Sequence, residues 1–528
     1  MAPGAFELRN GVQRGGDPPP SALIYLAKHA RSKPDSVAWI ERSADLHKPP
    51  LQISWSQLTG LVQSFAHELS RTGIRRQDRV VLWGFNSLDW ILTDWACNAL
   101  GATSIPLDPR LPDQTVRDIV DRVSPRATFL DPLHRERVAG LPLPNWRSLP
   151  TGGDPSWLDS RLKDATIGDA SQPATILFTS GTSNTPKGVM LSHGNLISNA
   201  LAKLKAMPQF PTDHRVNLLP FAHAYARTCE LTTWLISGSS MEVARGLDDF
   251  FSRLPFARPT LINAVPSVYE ALLARHPAST EANLRAALGG RIRQLASGGA
   301  PLHYALRTCF QDAGMPIYQG YGLTETSPVV CSNIHPDSGA PTCLDGVGPP
   351  VEGTEVMLDT DSNLWVRGLN VMMGYWDDPE ETNRRWRRFD GPHEGDWFHT
   401  GDLARRIEGT PSLEILGRCD DTIVLANGYK LHPLAIEAQL SKIPYLENSV
   451  VIPASNGTWR ICVSGRKESI GSDQLVDLEK QVLVRCSQEF RNLFSKIVIC
   501  PEPWTVESGL LNFKGAKRRN EFAARFGR

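Results

Sequence analysis

The sequence lacks several features that would each indicate a particular class of protein. Lys plus Arg and Asp plus Glu each total 56 among 528 residues, so the chain lacks the basic excess that predicts nucleic-acid binding. It contains no run of about 18 uncharged apolar residues, and residues 1–20 lack the apolar centre of a signal peptide. We therefore expect no nucleic-acid partner, no membrane span and a cytoplasmic protein.

Cysteine is sparse and scattered. The nine cysteines form no Cys-x-x-Cys pair and do not cluster with histidines, so a zinc site is not expected. Hydrophobic residues make up 41% and charged residues 21%, which is typical of a globular protein. A chain of this length exceeds a single core, so we expect at least two domains, and the Gly- and Pro-rich residues 1–20 are interpreted as a flexible arm.

Apolar runs of strand length alternate with helical patterns along most of the chain. Residues 78–87, "DRVVLWGFNS", are followed by the helical pattern "LDWILTDWACNALG" and then by "TSIPLDP". The same rhythm returns at "ATILFTS", "VNLLPFAHA", "PTLINAVPS" and "IRQLASGGAPL". This pattern predicts an α/β fold in which βαβ units build mixed sheets.

The pattern changes after residue 346. Short, turn-rich strands ("TEVMLDTD", "NLWVRG", "LEILGR") predict a β-rich module that closes a large N-terminal domain, residues 1–418. Residues 419–528 form a compact α+β pattern that we interpret as a small mobile domain. In it, Pro433 starts a helix with Ile436, Leu440 and Ile443 on one face, a hairpin turns at Asn456-Gly457, and a Ser472-capped helix follows.

The segment "ILFTSGTSNTPKGVMLSHGN" places glycines, hydroxyl side chains and Lys187 between two apolar runs. The segment fits a Walker loop poorly, because Pro186 stands where its second glycine should be and Gly188 where its magnesium-binding hydroxyl should be. Inward N–H groups, hydroxyls and one lysine still fit a phosphate. An exposed turn uses the same residue types, so the segment by itself leaves both interpretations open.

Further segments carry a resemblance in a fixed order: "NALGATSIPLDP", "LPFAHAYART", "SGGAPL", "YQGYGLTETSP", "LWVRGLNVMMGYWDDPEET", "WFHTGDLA" and "GRCDDTIVLANGYKLHPLAIE". With "TSGTSNTPKGVMLSH", they resemble the acyl-adenylating superfamily, which includes acyl-CoA synthetases, luciferase and peptide-synthetase adenylation domains. The similarity spans Leu51 to the C-terminus and is greatest to the fatty-acyl-CoA ligase branch.

The resemblance implies a two-step reaction. A carboxylic acid, by this branch a fatty acid, attacks ATP to give acyl-AMP and pyrophosphate, and the acyl group then passes to a thiol. Because two anions must meet, Mg²⁺, cationic side chains and N–H donors have to stabilise the transition state. Coenzyme A is the expected thiol, and a separate carrier-protein phosphopantetheine is the alternative. A homodimer is compatible with the resemblance.

The resemblance also assigns residues. ATP or AMP contacts are implied for Thr179, Ser180, Gly181, Thr182, Lys187, Gly298, Gly299, Ala300, Tyr321, Gly322, Thr324, Asp402 and Arg418. Catalytic roles are implied for Lys514, Glu325, Thr324 and Arg418, with Glu325 as the Mg²⁺ ligand because a hard cation prefers oxygen. His223 and Gly320 are assigned to the substrate pocket, Asp420 to the hinge, and Gly428 and Lys430 to the thiol side.

The tail departs from the family pattern. A Thr-x-Thr-Gly-Lys-like motif is expected, but the chain reads "GLLNFKGAKRRNEF". Lys514 is the favoured adenylation lysine, Lys517 is the other candidate, and an ungapped comparison with the long-chain type places Ala516 there. A basic solvated tail is the alternative. Two other functions therefore remain, a nucleotide-binding scaffold that has lost catalysis and a luciferase-like oxidative enzyme.

Overall fold

The computed structural model describes most of the chain. The described residues are 6–9, 21–131, 146–147, 170–179, 186–276, 280–390, 393–427, 430–440, 443, 446–454, 457–465, 472–485, 491–505, 507–511 and 517–527. Among them, no helix is long and apolar enough to cross a membrane.

The elements follow one another as an alternation of strands and helices. The strands are β1 Phe6–Arg9, β2 Val37–Glu41, β3 Leu51–Ser54, β4 Arg79–Trp83, β5 Thr103–Leu107, β6 Ala127–Leu130, β7 Trp146–Arg147, β8 Pro173–Thr179, β9 Lys187–Ser192, β10 His214–Asn217, β11 Ser240–Val243, β12 Leu261–Ala264, β13 Gln294–Ser297, β14 Ile317–Gly322, β15 Val329–Ser332, β16 Thr354–Leu358, β17 Asn363–Gly368, β18 Gly374–Tyr375, β19 Trp386–Phe389, β20 Gly395–Arg406, β21 Leu413–Arg418, β22 Ile423–Val424, β23 Lys430–Leu431, β24 Leu446–Pro453, β25 Trp459–Gly465 and β26 Phe494–Ile499.

The helices are α1 Leu23–Ser32, α2 Trp55–Arg71, α3 Leu88–Ala99, α4 Asp113–Val123, α5 His193–Ala206, α6 Ala224–Ala226, α7 Thr233–Ser237, α8 Leu247–Ala257, α9 Pro266–Arg275, α10 Glu281–Ala287, α11 Tyr304–Asp312, α12 Pro379–Arg385, α13 Pro433–Leu440, α14 Ser472–Arg485 and α15 Arg519–Phe526. A π-helical segment, Arg227–Thr232, joins α6 to α7, and Thr324–Thr326 and Pro336–Ser338 are single 3-10 turns.

Two mixed sheets form the centre of the large domain. One has the order β18-β9-β8-β5-β4-β6-β7 and the other β15-β14-β13-β12-β10-β11-β2-β3. The inner strands are parallel and the outer pairs β8·β9, β14·β15 and β2·β3 are antiparallel. Strands β4 and β5 pair in parallel on either side of α3, which confirms the βαβ prediction for this segment. The expected α/β fold class is therefore confirmed.

A cluster of indole rings fixes the helices that lie against these sheets. The ring of Trp234 in α7 lies 6.0 Å from that of Trp39, 5.5 Å from that of Trp55 and 5.4 Å from that of Trp95. All four side chains are buried. Such dense aromatic packing holds α7, and with it the π-helical segment that precedes it, in one position.

The predicted β-rich module is a six-stranded antiparallel sheet. Its order is β1-β16-β17-β20-β19, with β21 on β20. Strand β1 pairs with β16 from Phe6↔Leu358 to Arg9↔Glu355. The flexible-arm interpretation of residues 1–20 is therefore wrong for Phe6–Arg9, because the open edge of β16 supplies backbone partners that the sequence pattern did not reveal.

The C-terminal part contains a hairpin, β22·β23, and a three-stranded sheet, β24-β25-β26. Strands β24 and β25 are antiparallel, as the hairpin prediction requires. Helix α13 begins at Pro433 as predicted but ends at Leu440, so Ile443 lies beyond it while still packing in the same apolar cluster as Ile436 and Leu440. The domain boundary at residues 418–420 stays a prediction.

Candidate active site

The candidate site lies where the parallel strands of the eight-stranded sheet end. Ser297 at the end of β13 pairs with Gln319 on β14, so the Gly298–Gly299–Ala300 segment and Gly320 emerge side by side. Ligands of open α/β sheets bind at such carboxyl ends. Gly299 and Ala300 are exposed there, whereas Gly298 is buried.

A hydrogen-bonded triplet joins three of the predicted nucleotide residues. The hydroxyl of Tyr321 donates to Asp402 Oδ2 at 2.5 Å, and Arg418 Nη1 lies 3.2 Å from Asp402 Oδ1. Asp402 is only 7% exposed, and burial raises its pKa against the opposing effects of Arg418 and Tyr321. Burial and the Asp402 charge raise the pKa of Tyr321 well above its usual range, so the phenol stays neutral.

A second group of contacts connects Glu325 to the lysine of the phosphate-loop segment. Glu325 Oε1 accepts a hydrogen bond from the hydroxyl of Tyr375 at 2.7 Å, and Lys187 Nζ lies 5.4 Å from the centre of the same ring. Lys187 Nζ also forms an ion pair with Glu381 Oε1 at 2.6 Å. Tyr375 therefore stands between the predicted metal ligand and the predicted phosphate cation.

Gly401 lies next to both Arg418 of the first group and Arg385, which binds Glu381 of the second. Its φ of +78° is one that side-chain-bearing residues rarely adopt, and a Cβ there would lie 2.9 Å from Arg385 Nη1 and 3.0 Å from Arg418 Nη2. Arg385 in turn donates to Glu381 Oε1 at 3.1 Å. The two arginines and Lys187 make this side of the cleft suitable for a polyanion.

The surroundings of Glu325 fit a hard divalent cation in part. Glu325 is half-buried and lies beside Thr324, in the 3-10 turn that follows β14. One carboxylate combined with phosphate oxygens and water is a usual Mg²⁺ environment. The described residues contain no cluster of three or more potential metal-ligating side chains, so most of the shell would have to come from the nucleotide and water.

Tyr225 packs against the nucleotide residues. It is half-buried in α6, and burial raises the pKa of its hydroxyl well above the usual range. A Cβ on Gly298 would meet the Tyr225 ring at 3.0 Å, so glycine at this position lets the ring lie against the backbone.

His223, two residues before Tyr225, is hydrogen-bonded to an acid. Its Nε2 is 2.6 Å from Asp108 Oδ2, and Asp108 is also held by Arg110 through Nε at 2.9 Å and Nη2 at 2.6 Å. Although burial opposes it, hydrogen bonds from Arg110 and His223 hold the pKa of Asp108 well below its usual range. The imidazole is thereby oriented by an ionised, 3% exposed carboxylate.

The remaining predicted residues are distributed as follows. Thr179 ends β8, where its hydroxyl lies 3.5 Å from the Lys187 carbonyl, and Gly322 ends β14. Asp420 is exposed, and Lys430 forms an exposed ion pair with Asp361 at 3.0 Å. Five predicted positions lie outside the described residues: Ser180, Gly181, Thr182, Gly428 and Lys514.

Lys517 is bound within the C-terminal part. Its ammonium donates to the Ser449 carbonyl at 2.6 Å, lies 3.7 Å from Glu437 Oε2 and sits over the Trp504 ring at 5.9 Å. Burial lowers its pKa. His303, three residues after Ala300, has its pKa lowered by burial and by the Lys517 charge.

Several site residues were missed by the sequence interpretation. Tyr375, Glu381 and Asp108 contact predicted residues across 50, 194 and 115 positions, respectively. Tyr375 and Glu381 lie in the quoted segment "LWVRGLNVMMGYWDDPEET", and Asp108 in "NALGATSIPLDP". The resemblance of these segments was the available signal, but nothing in them indicated which side chains meet.

A comparison of the chain with protein-family models gives one match that decides its family. The model of the AMP-binding enzyme family matches residues 26–376, which is more than half of the chain. The chain is an AMP-binding enzyme. The family resemblance and the expectation of an enzyme are thereby confirmed.

Curated relatives of this AMP-binding enzyme include CoA ligases. It is 29% identical over 419 residues to a feruloyl-CoA synthase from an Amycolatopsis species, covering 77% of this chain and 82% of the relative. It is 28% identical over 497 residues to the long-chain-fatty-acid–CoA ligase FadD15 from Mycobacterium bovis, covering 82% of this chain and 79% of the relative. The ATP-bound structure of MatB from Rhodopseudomonas palustris matches with a TM-score of 0.77 at 24% identity. The match covers 96% of this chain and 99% of MatB, and it shows that the two share a fold.

Proposed function

We propose that this AMP-binding enzyme activates a carboxylic acid with ATP, forming acyl-AMP and pyrophosphate, and then transfers the acyl group to coenzyme A. The observation that carries the proposal is the presence of two neighbouring contact groups, Asp402 with Tyr321 and Arg418, and Tyr375 with Glu325 and Lys187. One group offers acceptors for a ribose and a flat ring for a base. The other offers charges for a triphosphate.

The buried carboxylate of Asp402 is suited to the ribose. One carboxylate can accept two hydroxyl donors, and Arg418 holds it in place from the opposite side. Tyr321 would support the adenine with its ring while its hydroxyl remains bound to Asp402. We assign Gly298, Gly299 and Ala300 to the close backbone approach at the base.

Lys187 and the neighbouring arginines are suited to the phosphates. The Lys187–Glu381 pair has side chains 20% and 10% exposed, so a phosphate entering the cleft can compete with Glu381 for the ammonium. Mg²⁺, when bound at Glu325, would neutralise charge on the phosphate oxygens. Thr324, beside Glu325, is assigned a hydrogen bond to the α-phosphate.

The acid would enter beside His223 and Tyr225. Because His223 is bound to an ionised Asp108, its role is to shape and orient the carboxylate end of the pocket. The relatives are named for feruloyl and long-chain fatty acyl substrates, and these share only a carboxylate on an apolar body. We propose the aliphatic class, because the segment "LPFAHAYART" resembles the fatty-acyl branch most closely.

Pyrophosphate–ATP exchange tests the proposal. The purified full chain is assayed with Mg²⁺ and aliphatic and aromatic acids of graded length, and thioester is then measured after coenzyme A is added. We expect exchange with at least one acid and thioester only with coenzyme A present. Failure to bind nucleotide and to exchange pyrophosphate with every acid overturns the proposal.

A matched pair of variants tests the metal assignment in the same assay. Glu325→Gln should lower Mg²⁺-supported exchange by roughly 10- to 100-fold, because a neutral amide is a poor ligand for a hard cation. Glu414→Gln, at an exposed glutamate paired with Arg405, should leave exchange unchanged. An unaltered Mg²⁺ dependence in Glu325→Gln removes Glu325 from the metal site.

A further inference from the structure

Helix α5 carries a buried lysine for which the described part of the chain provides no acidic partner. Lys203 is 4% exposed, and among the described residues its ammonium donates one hydrogen bond, to Ser332 Oγ at 3.1 Å. No carboxylate lies within ion-pair distance of it in the same part of the structure. Asn199, one turn earlier, has by contrast both amide atoms bound to the backbone of Val329.

The Lys203 ammonium lies near a position that is assigned to the substrate pocket. Its hydrogen-bond acceptor, Ser332 on β15, pairs with the half-buried Gly320 on β14. Ala202, the neighbour of Lys203, belongs to an apolar cluster against which Tyr225 packs. An acyl chain that passes Gly298 and Tyr225 on the nucleotide side would therefore point toward the ammonium.

Among the described residues, no acidic side chain forms an ion pair with Lys203. Its neighbour Ala202 forms an apolar cluster with Val329, Val351 and Cys229. Glu230, a buried acid on the π-helical segment, lies 3.8 Å from Arg215. An ammonium among apolar groups is costly to bury unless an anion or several acceptors reach it. A ligand with a negative group at its far end would supply what the protein lacks.

We propose that the acid substrate carries a second carboxylate, which Lys203 binds at the inner end of the acyl pocket while the first carboxylate meets the nucleotide. This inference rests on the proposed acid-activating function and deepens it. Lys203 then selects dicarboxylic acids, because a monocarboxylic acid of equal length leaves the buried ammonium unpaired. Ser332 Oγ orients the ammonium.

Pyrophosphate–ATP exchange with matched acids tests the inference on the unmodified protein. Monocarboxylic and α,ω-dicarboxylic aliphatic acids of equal carbon number are compared across a graded series. We expect one dicarboxylic acid to exceed its monocarboxylic partner by roughly 30-fold or more in kcat/KM. If monocarboxylic acids are equal or better at every length, the inference is wrong while the proposed function stands. If no acid supports exchange, the proposed function itself fails.

A variant pair assigns the preference to Lys203. Lys203→Met keeps an unbranched side chain of similar length and removes its charge, so the dicarboxylic acid should lose its advantage and the monocarboxylic acid should retain or gain activity. Lys205→Met is the control, because this lysine on the same helix is 66% exposed and pairs with Glu352. AMP affinity, measured by calorimetry, should be unchanged in both. A dicarboxylic preference that survives in Lys203→Met overturns the assignment.

Discussion

At the scale of the residue, the interior of this enzyme holds ionisable groups whose charge is set by their neighbours. Asp108 stays ionised although it is buried, because Arg110 and His223 donate to it. Glu230 behaves differently. It is 1% exposed, burial raises its pKa to about 7, and Arg215 and Asn263 offset this only in part. Packing thus keeps the carboxyl group of Asp108 ionised and favours the protonated form of the carboxyl group of Glu230.

Glu230 should make the stability depend on pH. Since its pKa is higher in the folded protein than in the unfolded chain, the folded state binds the proton more tightly. The free energy of unfolding should therefore fall by about 1–3 kcal/mol as the pH rises from about 4.5 to about 7, and level off above that range. Urea denaturation of wild type and Glu230→Gln at pH values across this range measures the free energy of unfolding of each. The difference in stability between the two should change with pH, and a constant difference contradicts the prediction.

At the scale of the element, the geometry of the site depends on the contact between the end of β14 and the chain that leads into β15. The register between the two strands shifts at Tyr321 and Gly322, and Leu323 N donates to the Pro328 carbonyl at 3.1 Å. This close approach turns Tyr321 toward Asp402 and places Thr324 and Glu325 on the following turn. The glycine is needed for space, since a Cβ on Gly322 would lie 1.7 Å from the Pro328 oxygen.

Gly322→Ala should therefore separate the ends of β14 and β15. We expect a loss of about 2–4 kcal/mol in the free energy of unfolding and a clear loss of AMP affinity, because the new methyl group must displace backbone. Gly409→Ala is the control. It has a φ of +75° and open space around its Cβ, so it should cost about 1 kcal/mol and leave AMP binding intact. If the two variants lose equal amounts of stability and AMP affinity, the close approach of β14 and β15 is not the reason for glycine at position 322.

At the scale of the whole molecule, contacts to several other elements hold the last segment of the C-terminal part. Leu511 and Lys517, which flank Lys514, form an isolated antiparallel bridge, and Lys517 lies near His303. Arg519 joins this segment to the linker through Asp421 at 4.0 Å and to α13 through Glu437 at 2.5 Å. Lys517 is thus occupied in holding the segment, and Lys514 remains the proposed adenylation lysine.

The two lysines should consequently fail in different ways. Lys514→Ala should lower acyl-AMP formation by roughly 100-fold or more and leave thioester formation from supplied acyl-AMP largely intact, because the lysine serves the first step alone. Lys517→Ala should lower the melting temperature and affect both half-reactions together, because it removes a buried contact. Separate assays of the two half-reactions distinguish these outcomes. An equal loss of both half-reactions in Lys514→Ala would remove Lys514 from the adenylation step.

Much of the fold was predictable because it is encoded locally. The period of the apolar residues gave β4, α3 and β5, and Pro433 marked the start of α13. The edge strand β1 was missed, since its partner β16 lies more than 300 positions away and its own pattern is weak. Strand β10 ends at Asn217, earlier than predicted, where the Asn217 side chain bonds both N and O of Leu219 and turns the chain toward His223.

The sequence by itself determined the α/β class and the family and predicted many polar residues of the candidate site, because periodicity and motif spacing are properties of neighbouring positions. Tertiary structure alone decided which of these side chains meet. It paired Lys187 with Glu381, placed Tyr375 on Glu325 and buried Lys203 where no described residue offers it an acid. The physical reason is that hydrogen bonding and desolvation act over a few ångströms in space, irrespective of distance along the chain.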